Sequence, residues 1–298
     1  MPTHLSIVCI FHDMEREAKR TLYSLCSAYQ SGVLGDEYEV VAIDNGSASP
    51  LEREFVTGLG PNFRYEYFQT NSASPVSAIN YGAGIAKGEN LAVIVDGARM
   101  VTPGIVRSSM DSLGTVSNPF VCTPAWHLGP KVQNESMLEG YDQVTEDQIL
   151  DSIEWKSNGY RLFEISTIAQ SSLPVLVGRM PNECSWFVMP RGLFFEVGGF
   201  DERFQAPGGG LVNQDFLLRI TSRPEISPIV ILNEGSFHQI HGGVATNVPL
   251  TNHPIRSFQA EYKSIHGEFY QHKDLPTPGF VGRIPSATLE NRACYPIG

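Results

Sequence analysis

The chain has 298 residues and a formal net charge of −11; 42% of its residues are hydrophobic and 18% are charged. These values suit one large α/β domain, or one domain with an extension, and they exclude wholesale disorder. The negative charge argues against a surface devoted to nucleic acid or to an anionic membrane, although it leaves room for a local basic pocket that binds phosphates.

The first hundred residues alternate short apolar runs with helical patterns. Four runs are too short for helices and are rich in β-branched or aromatic residues, which predicts strands over 5–11, 39–44, 63–67 (an edge strand) and 90–95. Helical spacing predicts helices over 14–30, with Ala18, Leu22, Leu25 and Tyr29 on one face, and over 76–87. Strands that alternate with helices predict a mostly parallel, doubly wound sheet flanked by helices.

The elements after residue 100 are less regular. Further strands are predicted over 120–126, 183–189 and 228–233; one helix is predicted to open with Pro190 at its first position, and another covers 212–222. Residues 127–144 are expected to form a loop that ends at a helix with Thr145 as its N-cap and Gln148 completing a capping box. Residues 157–182 show no assignable pattern. From about residue 249 proline, asparagine and aromatic residues predominate, which indicates an extension wrapped on the domain.

Polar residues follow three of the predicted strands. Asp44 and Asp96 end the second and fourth strands, and a polar loop follows Phe11 at the end of the first. Open α/β sheets bind their ligands at the carboxyl ends of the strands. We therefore expect the ligand site at this edge.

Cysteines and apolar segments bear on the location of the protein. The cysteines show no C-x-x-C pairing and are odd in number, which favours reduced thiols at Cys9, Cys26, Cys122, Cys184 and Cys294. No signal peptide is visible, and no apolar run approaches the ~20 residues that span a bilayer. We expect a soluble, cytoplasmic protein without a transmembrane segment; peripheral contact with a membrane stays open.

Five motifs together resemble a known family. IVCIFHD, VVAIDNGSASP, INYGAGIAKGENLAVIVDGARMVTP, VGGFDERF and NQDFLLRI, in this order across residues 5–245, are similar to the family 2 type of GT-A nucleotide-sugar glycosyltransferases. Pro103 also follows Asp96 by seven residues, as in that family. The resemblance implies a Rossmann-like nucleotide-binding half over about 1–103 and an acceptor half over about 104–248. Together they form a domain over 1–248, and the extension covers 249–298.

The resemblance also implies an activity. Its members transfer a sugar from a nucleoside diphosphate to a hydroxyl group, commonly with inversion, so we expect a glycan or glycolipid acceptor and a role in building a surface polysaccharide or a similar glycan. The donor side is expected to comprise Phe11, His12, Asp44, Asn45, Asn80, Asp96 and Arg99. Asp44 is implied to contact the nucleoside, although its DNGS context also suits an Asx-type turn cap.

The cation site departs from the family pattern. Asp96 matches the first aspartate of the D-x-D sequence, whereas Ala98 replaces the aspartate that normally ligates Mn²⁺ or Mg²⁺. Arg99 can neutralise a diphosphate directly. Alternatively, a cation is held by Asp96 and by His238 or His241 of the sequence H-x-x-H-G-G. We favour a weakened metal site with Arg99 as an auxiliary charge. The alternatives are structural histidines and a solvated arginine.

The proton acceptor is expected at the start of the helix over 212–222. Asp215 matches the aspartate of the family's E-D pair, and Gln214 replaces the glutamate. A carboxylate there suits a general base, although a plain helix-start aspartate is the alternative. Trp186, Asp201 and Gln214 are expected on the acceptor side, with core packing as the alternative for Trp186. The glycines at 208–210 permit a moving lid.

Two other classes of protein stay open. The D-G-A-R departure is compatible with a catalytically decayed GT-A-like protein that only binds a nucleotide or a glycan. A nucleotidyltransferase is disfavoured, because the loop after the first strand, FHDMERE, is acidic rather than glycine-rich and basic. The donor sugar, the nucleobase, the acceptor and the oligomeric state cannot be read from these motifs.

Overall fold

The computed structural model describes residues 4–286. Within this range strands β1 to β12 are, in chain order, Leu5–Phe11, Tyr38–Asp44, Phe63–Tyr67, Asn90–Ile94, Arg99–Val101, Pro119–Cys122, Ala125–Leu128, Ser166–Ile168, Trp186–Pro190, Ser227–Ile231, Ser236–His238 and Gly279–Val281. Helices α1 to α9 are Glu15–Ser24, Arg53–Gly58, Val76–Ile85, Ile105–Leu113, Gln133–Ser136, Gln143–Ser152, Arg191–Glu196, Val212–Thr221 and Ile255–His266. Short 3₁₀ helices cover Met137–Glu139, Gly159–Ile165, Gln170–Val177, Pro207–Gly209 and Leu250–Asn252.

Eight strands form one central sheet in the order β12-β10-β6-β9-β4-β1-β2-β3. β1 pairs in parallel with β2 and with β4, and Phe11 stands opposite Asp44 at the carboxyl end. Only β9 runs antiparallel within the described sheet, between β4 and β6. The predicted mostly parallel α/β sheet is therefore confirmed, with β3 at one edge as expected.

Apolar surfaces hold the helices on this sheet. α1 buries Ala18 and Leu22 completely. In α3 a Cβ at Gly82 would lie 2.5 Å from a methyl carbon of Val8 on β1, so only glycine allows the helix this close. The predicted helix over 14–30 is too long: α1 ends at Ser24, and the chain then turns so that Leu25 and Tyr29 are buried outside the helix.

A second sheet of four short strands, in the order β5-β11-β7-β8, was not predicted. β11 runs antiparallel to β5 and parallel to β7, so His238 stands opposite both Arg99 and His127. The single strand predicted over 120–126 is wrong, because β6 and β7 belong to different sheets. The loop predicted over 127–144 is wrong as well, since it contains the end of β7, α5 and the start of α6. This sheet brings three ionisable side chains into one row.

One further prediction needs correction. The N-cap of α6 is Asp142, whose carboxylate accepts the backbone N–H of Thr145 at 2.8 Å, so Thr145 lies inside the helix. The described part of the predicted extension, residues 249–286, contains α9 and β12, and β12 pairs in parallel with β10 and thereby extends the central sheet.

The described cysteines and helices add two facts. Cys9, Cys26, Cys122 and Cys184 are buried free thiols, whereas Cys294 and the rest of 287–298 lie outside the described residues. Among residues 4–286, no helix combines the length and the apolar character that crossing a bilayer requires.

Candidate active site

A cavity of about 570 Å³ opens beside the carboxyl ends of β1 and β4. Its wall combines polar and apolar residues from both halves of the chain. The polar wall includes His12, Asn45, Asp96, Arg99, His127, Glu183, Asn213, Gln214 and His241. The apolar wall includes Pro75, Leu211, Val212, Val244, Ile255 and Phe258. The glycines at 208 and 210 line it too, with φ of +70° and +57°, a conformation that favours glycine; a moving lid stays a prediction.

Asp96, His238 and His241 converge beside this cavity, whose wall includes Asp96 and His241. Asp96 lies two residues beyond β4, His238 ends β11, and His241 follows in the next loop. Oδ2 of Asp96 is 2.8 Å from Nε2 of His238 and 3.4 Å from Nε2 of His241, and the two imidazole nitrogens are 3.3 Å apart. The other oxygen of Asp96 accepts the backbone N–H of Ala98 at 3.0 Å. The three ligand-type atoms therefore face a single point.

The pKa values of these three side chains are shifted from their ordinary values, and each shift has an identifiable cause. Burial lowers the pKa of His238 to about 4, against the opposing effect of Asp96, so His238 is neutral at pH 7. Burial alone would raise the pKa of Asp96, but His241, the largest of the opposing influences, holds that pKa well below its ordinary value. The pKa of His241 is raised, because the attraction of Asp96 outweighs the burial of the ring. The cluster thus holds an ionised carboxylate beside two imidazoles.

The arrangement fits a divalent transition-metal ion. Carboxylate oxygen and imidazole nitrogen are suitable donors for Mn²⁺. Neighbouring ligands of an octahedral ion with bonds of about 2.1 Å lie about 3 Å apart. The separations between the three atoms, 2.8, 3.3 and 3.4 Å, are close to that spacing. The residues present can therefore hold the cation that the resemblance implies, without the missing aspartate at position 98.

Arg99 lies next to this cluster and carries N–H groups that no described residue accepts from. Its side chain is 7% exposed, and neither Nε nor Nη1 has a hydrogen-bond partner among the described residues. Burial lowers its pKa, while Asp96 and Glu183 attract its charge. A buried guanidinium without partners costs stability unless a ligand satisfies it. An anion in the cavity would supply hydrogen-bond acceptors for these two nitrogens.

Of the other predicted donor residues, two line the cavity. Nδ1 of His12 is 2.9 Å from the carbonyl oxygen of Asn45. The amide of Asn45 donates to Ser74 O at 3.2 Å, and its buried Oδ1 has no partner among the described residues. His12 and Asn45 are thus positioned side by side at the ends of β1 and β2.

Three predicted donor residues lie away from the cavity wall as described. Phe11 is buried in the core. Asp44 is fully buried, and its two oxygens accept the backbone N–H groups of Ser47 and Leu51, each at 2.9 Å, which is the turn-capping alternative. Asn80 on α3 bonds both the N–H and the carbonyl of Phe200 and so holds the GGF loop. A nucleoside contact for Asp44 stays a prediction.

Asp215 on α8 is occupied by ion pairs. Its carboxylate is 2.7 Å from Nε of Arg219 and 3.0 Å from Nε2 of His266 on α9. Within residues 4–286 the cavity wall includes Asn213 and Gln214 but not Asp215. Asp215 is brought close to Asp201 instead, whose carboxylate pairs with Arg203. Its role as a base therefore stays a prediction that requires this network to rearrange.

Of the predicted acceptor-side residues, Gln214 lines the cavity wall that the described residues form, whereas Trp186 and Asp201 do not. The buried Oε1 of Gln214 has no partner among the described residues. Trp186 is fully buried and donates its indole N–H to Ser109 at 3.2 Å, which is the core-packing alternative. Asp201 lines a second, shallower depression beside Asn80 and Arg219.

Glu183 is a cavity-facing carboxylate that the motifs did not indicate. It lies just before β9, accepts from Asn213 at 3.2 Å, and faces the charges of Arg99 and Asp96. Burial raises its pKa, which Arg99 and Asn213 oppose. The only sequence signal was a glutamate at the start of an apolar strand, ECSWFVM. Gln133 and His127, which surround His238, gave no motif at all.

The comparisons with known proteins agree with this fold. The model of the family described as Glycosyl transferase family 2 matches residues 6–97. The chain has the GT-A fold: a solved structure of Staphylococcus aureus TarS aligns with a TM-score of 0.52 at 13% identity over 80% of this chain and 37% of TarS. The GT-A fold that the resemblance implies is thus confirmed, and the family match over residues 6–97 agrees with it. No curated protein matches.

Two solved complexes are similar at the same level. TarS residues 1–349 in complex with UDP-GlcNAc align at a TM-score of 0.52 and 14% identity, covering 88% of this chain and 67% of that one. The mannosyltransferase PcManGT from Pyrobaculum calidifontis, in complex with GDP-Man and Mn²⁺, aligns at 0.52 and 12% identity, covering 98% and 71%. The chain spans little more than a third of the first TarS structure. At such identities the likeness concerns the fold.

Proposed function

We propose that the protein transfers a sugar from a nucleoside-diphosphate sugar to a hydroxyl group of a glycan or glycolipid acceptor. The observation that carries this proposal is the Asp96–His238–His241 cluster at the wall of a cavity that Arg99 also lines, with Nε and Nη1 of Arg99 lacking partners among the described residues. Residues 1–103 would bind the donor, residues 104–248 the acceptor, and 249–298 would pack on both. The family match over 6–97 and the GT-A fold support the same reaction class.

The donor would lie across the carboxyl ends of β1 and β4. Asp96, His238 and His241 would hold a divalent cation, which as a Lewis acid neutralises the charge that develops on the leaving diphosphate. Arg99 would donate from Nε and Nη1 to phosphate oxygens. His12 and Asn45, at the ends of β1 and β2, would meet the nucleoside.

The transfer needs a proton acceptor for the attacking hydroxyl. Its oxygen bonds to the anomeric carbon as the bond to the diphosphate breaks, and its proton passes to a carboxylate. Attack from the face opposite the diphosphate gives inversion. Asp215 is the carboxylate that the resemblance implies, whereas Glu183, unlike Asp215, lines the cavity. The geometry favours Glu183, and paired variants separate the two.

Donor binding tests the proposal first. Calorimetry with UDP and GDP, with and without Mn²⁺, should give binding that Mn²⁺ strengthens and that Asp96→Ala weakens. Release of UDP from UDP-GlcNAc or of GDP from GDP-Man, the donors seen in the solved complexes, then tests turnover. Nucleotide binding without turnover on any donor and acceptor would favour the decayed binding protein, and absence of both would sink the proposal.

A further inference from the structure

A network of side-chain amides surrounds His238 on the side away from Asp96. Nδ1 of His238 lies 2.6 Å from Oε1 of Gln133, which is the first residue of α5. Gln133 is fully buried, and so is His238. The orientation of these amides decides which nitrogen of His238 carries a proton.

The orientation of Asn247 is set by three backbone groups. Its Oδ1 accepts the N–H groups of His241, Gly242 and Gly243, each at 3.0 Å. A carbonyl oxygen is required there, because an amide NH₂ would face three donors. The other end of the amide, Nδ2, therefore points at Gln133.

The orientation of Gln133 follows from that of Asn247. Its Oε1 accepts from Nδ2 of Asn247 at 2.9 Å, and its Nε2 donates to the carbonyl oxygen of His238 at 2.9 Å. Reversing the amide would set donor against donor at one end and acceptor against acceptor at the other. Oε1 is thus an acceptor, and Nδ1 of His238 must donate to it.

We propose that Gln133, oriented by Asn247, fixes His238 in the tautomer that carries its proton on Nδ1, so that Nε2 is kept available to bind a divalent cation. With its proton on Nδ1, His238 turns the lone pair of Nε2 toward Oδ2 of Asp96 at 2.8 Å. Two acceptors at that distance repel each other, and a cation bound to both would relieve the repulsion. Gln133 is a positioning residue, and the inference rests on the proposed function only for the cation.

The tautomer of His238 is measurable in the wild-type protein without metal. Ring ¹⁵N shifts and ¹⁵N–¹H correlations of ¹⁵N-histidine-labelled protein, assigned by comparison with His238→Ala, report which nitrogen is protonated. We expect the proton on Nδ1 of His238. A proton on Nε2, donated to Asp96, would overturn the inference even if the protein binds metal and nucleotide.

The consequence for the cation is measured by Mn²⁺ binding in calorimetry. Gln133→Leu should lower the affinity for Mn²⁺ by about 10- to 100-fold, the usual effect of losing an outer partner of a ligating histidine. Asn134→Leu is the matched control: it is next on α5 and donates to Ala245 and Val248 of the same loop, but it has no hydrogen bond with His238 among those of the described residues. Circular dichroism checks that both variants fold.

The outcomes separate this inference from the proposed function. Equal losses in Gln133→Leu and Asn134→Leu, or no loss in Gln133→Leu, would overturn the positioning role alone. Failure of the wild-type protein to bind Mn²⁺ would overturn the cation site of the proposed function and this inference together. The tautomer measurement does not depend on either variant folding.

Discussion

Arg99 shows how a single residue can oppose stability and serve binding. Its Nε and Nη1 are buried without partners among the described residues, and burial lowers its pKa. Arg99→Met should raise the midpoint of thermal unfolding of the ligand-free protein, because it removes a poorly compensated buried charge. The same change should weaken binding of UDP or GDP by about 10-fold or more, the value of a charge-assisted hydrogen bond.

Arg64 provides the control for that prediction. It lies away from the cavity wall and is paired with Glu39 at 3.1 Å and with the carbonyl of Ile85 at 3.0 Å. Arg64→Met should lower the unfolding midpoint and leave nucleotide binding unchanged. A lower midpoint for Arg99→Met as well, with unchanged nucleotide affinity, would show that Arg99 is an ordinary structural residue.

Glu183 and Asp215 are distinguished by opposite effects of conservative substitution. Glu183→Gln should cut release of the nucleoside diphosphate by about 10²-fold or more without weakening UDP or GDP binding, as expected for a lost general base. Asp215→Asn should mainly lower the unfolding midpoint, because it removes the charge that holds Arg219 and His266. Water serves as the acceptor where no glycan is known. The reverse pattern would establish Asp215 as the base.

At the scale of elements, α6 connects α1 with the loop that carries the histidines. Glu146 on α6 accepts the N–H of Ile240 at 2.8 Å and contacts Arg16 of α1 at 3.2 Å. Burial raises the pKa of Glu146 to about 7, and Ile240 and Arg16 only partly oppose this. A buried carboxyl with a raised pKa favours folding in its protonated form.

The pH dependence of stability follows from that shift. Because the folded pKa exceeds 4.5, the stability that Glu146 contributes is full below about 4.5 and is lost as the pH rises to about 7. The difference in unfolding free energy between wild type and Glu146→Gln should therefore fall by on the order of 3 kcal/mol across this window. Urea denaturation at several pH values measures it.

The pKa of Asp147, the next residue, is shifted in the opposite direction, so this residue serves as the control. Arg16 and Arg20 outweigh burial and lower its pKa, so its contribution is present above the ordinary aspartate pKa and is lost in acid. Asp147→Asn should cost stability near neutral pH and little at the acid end. If both variants shift stability in the same direction with pH, the charge assignment within this cluster is wrong.

The strength of the sequence prediction differed between elements for physical reasons. β1, β2 and β4 were predictable because strands buried on both faces are continuous apolar runs. β5, β8 and β11 have three residues each, too few for any periodicity, so the second sheet was missed. The N-cap of α6 was misplaced because Thr145 offers the same capping chemistry three residues after Asp142.

Some residues of the candidate site could be predicted from the sequence, and others could not. Asp96, His238 and His241 were predicted as candidates from the resemblance to the family, not from local periodicity, because β4 and β11 belong to different sheets. Gln133 lies 105 residues from His238, and no local pattern marks a glutamine as the partner of a distant imidazole. Glu183 lies at the cavity because β9 runs antiparallel beside β4. No sequence motif predicts this pairing.

At the scale of the whole molecule, the segment after residue 249 completes both the sheet and the cavity. α9 buries Phe258 and Tyr262 against the core, Phe258 also lines the cavity, and His266 reaches Asp215. The apolar wall of the cavity thus depends on a part of the chain that follows the last matched motif. We infer that this segment is needed for the stability of the domain.

Substitutions within this segment test that inference. Phe258→Ala removes a side chain that is 5% exposed, and the transfer and cavity terms together predict a loss of about 3 kcal/mol. Phe269→Ala is the matched control, because this ring is 51% exposed and its loss should cost well under 1 kcal/mol. A chain ending at residue 248 should lose more than Phe258→Ala, since β10 would lack its parallel partner β12 and α8 would lack His266. Urea denaturation compares all three with the full chain. Equal stability of the shortened and full chains would mean that residues 4–248 fold independently, and that the segment only lines the cavity.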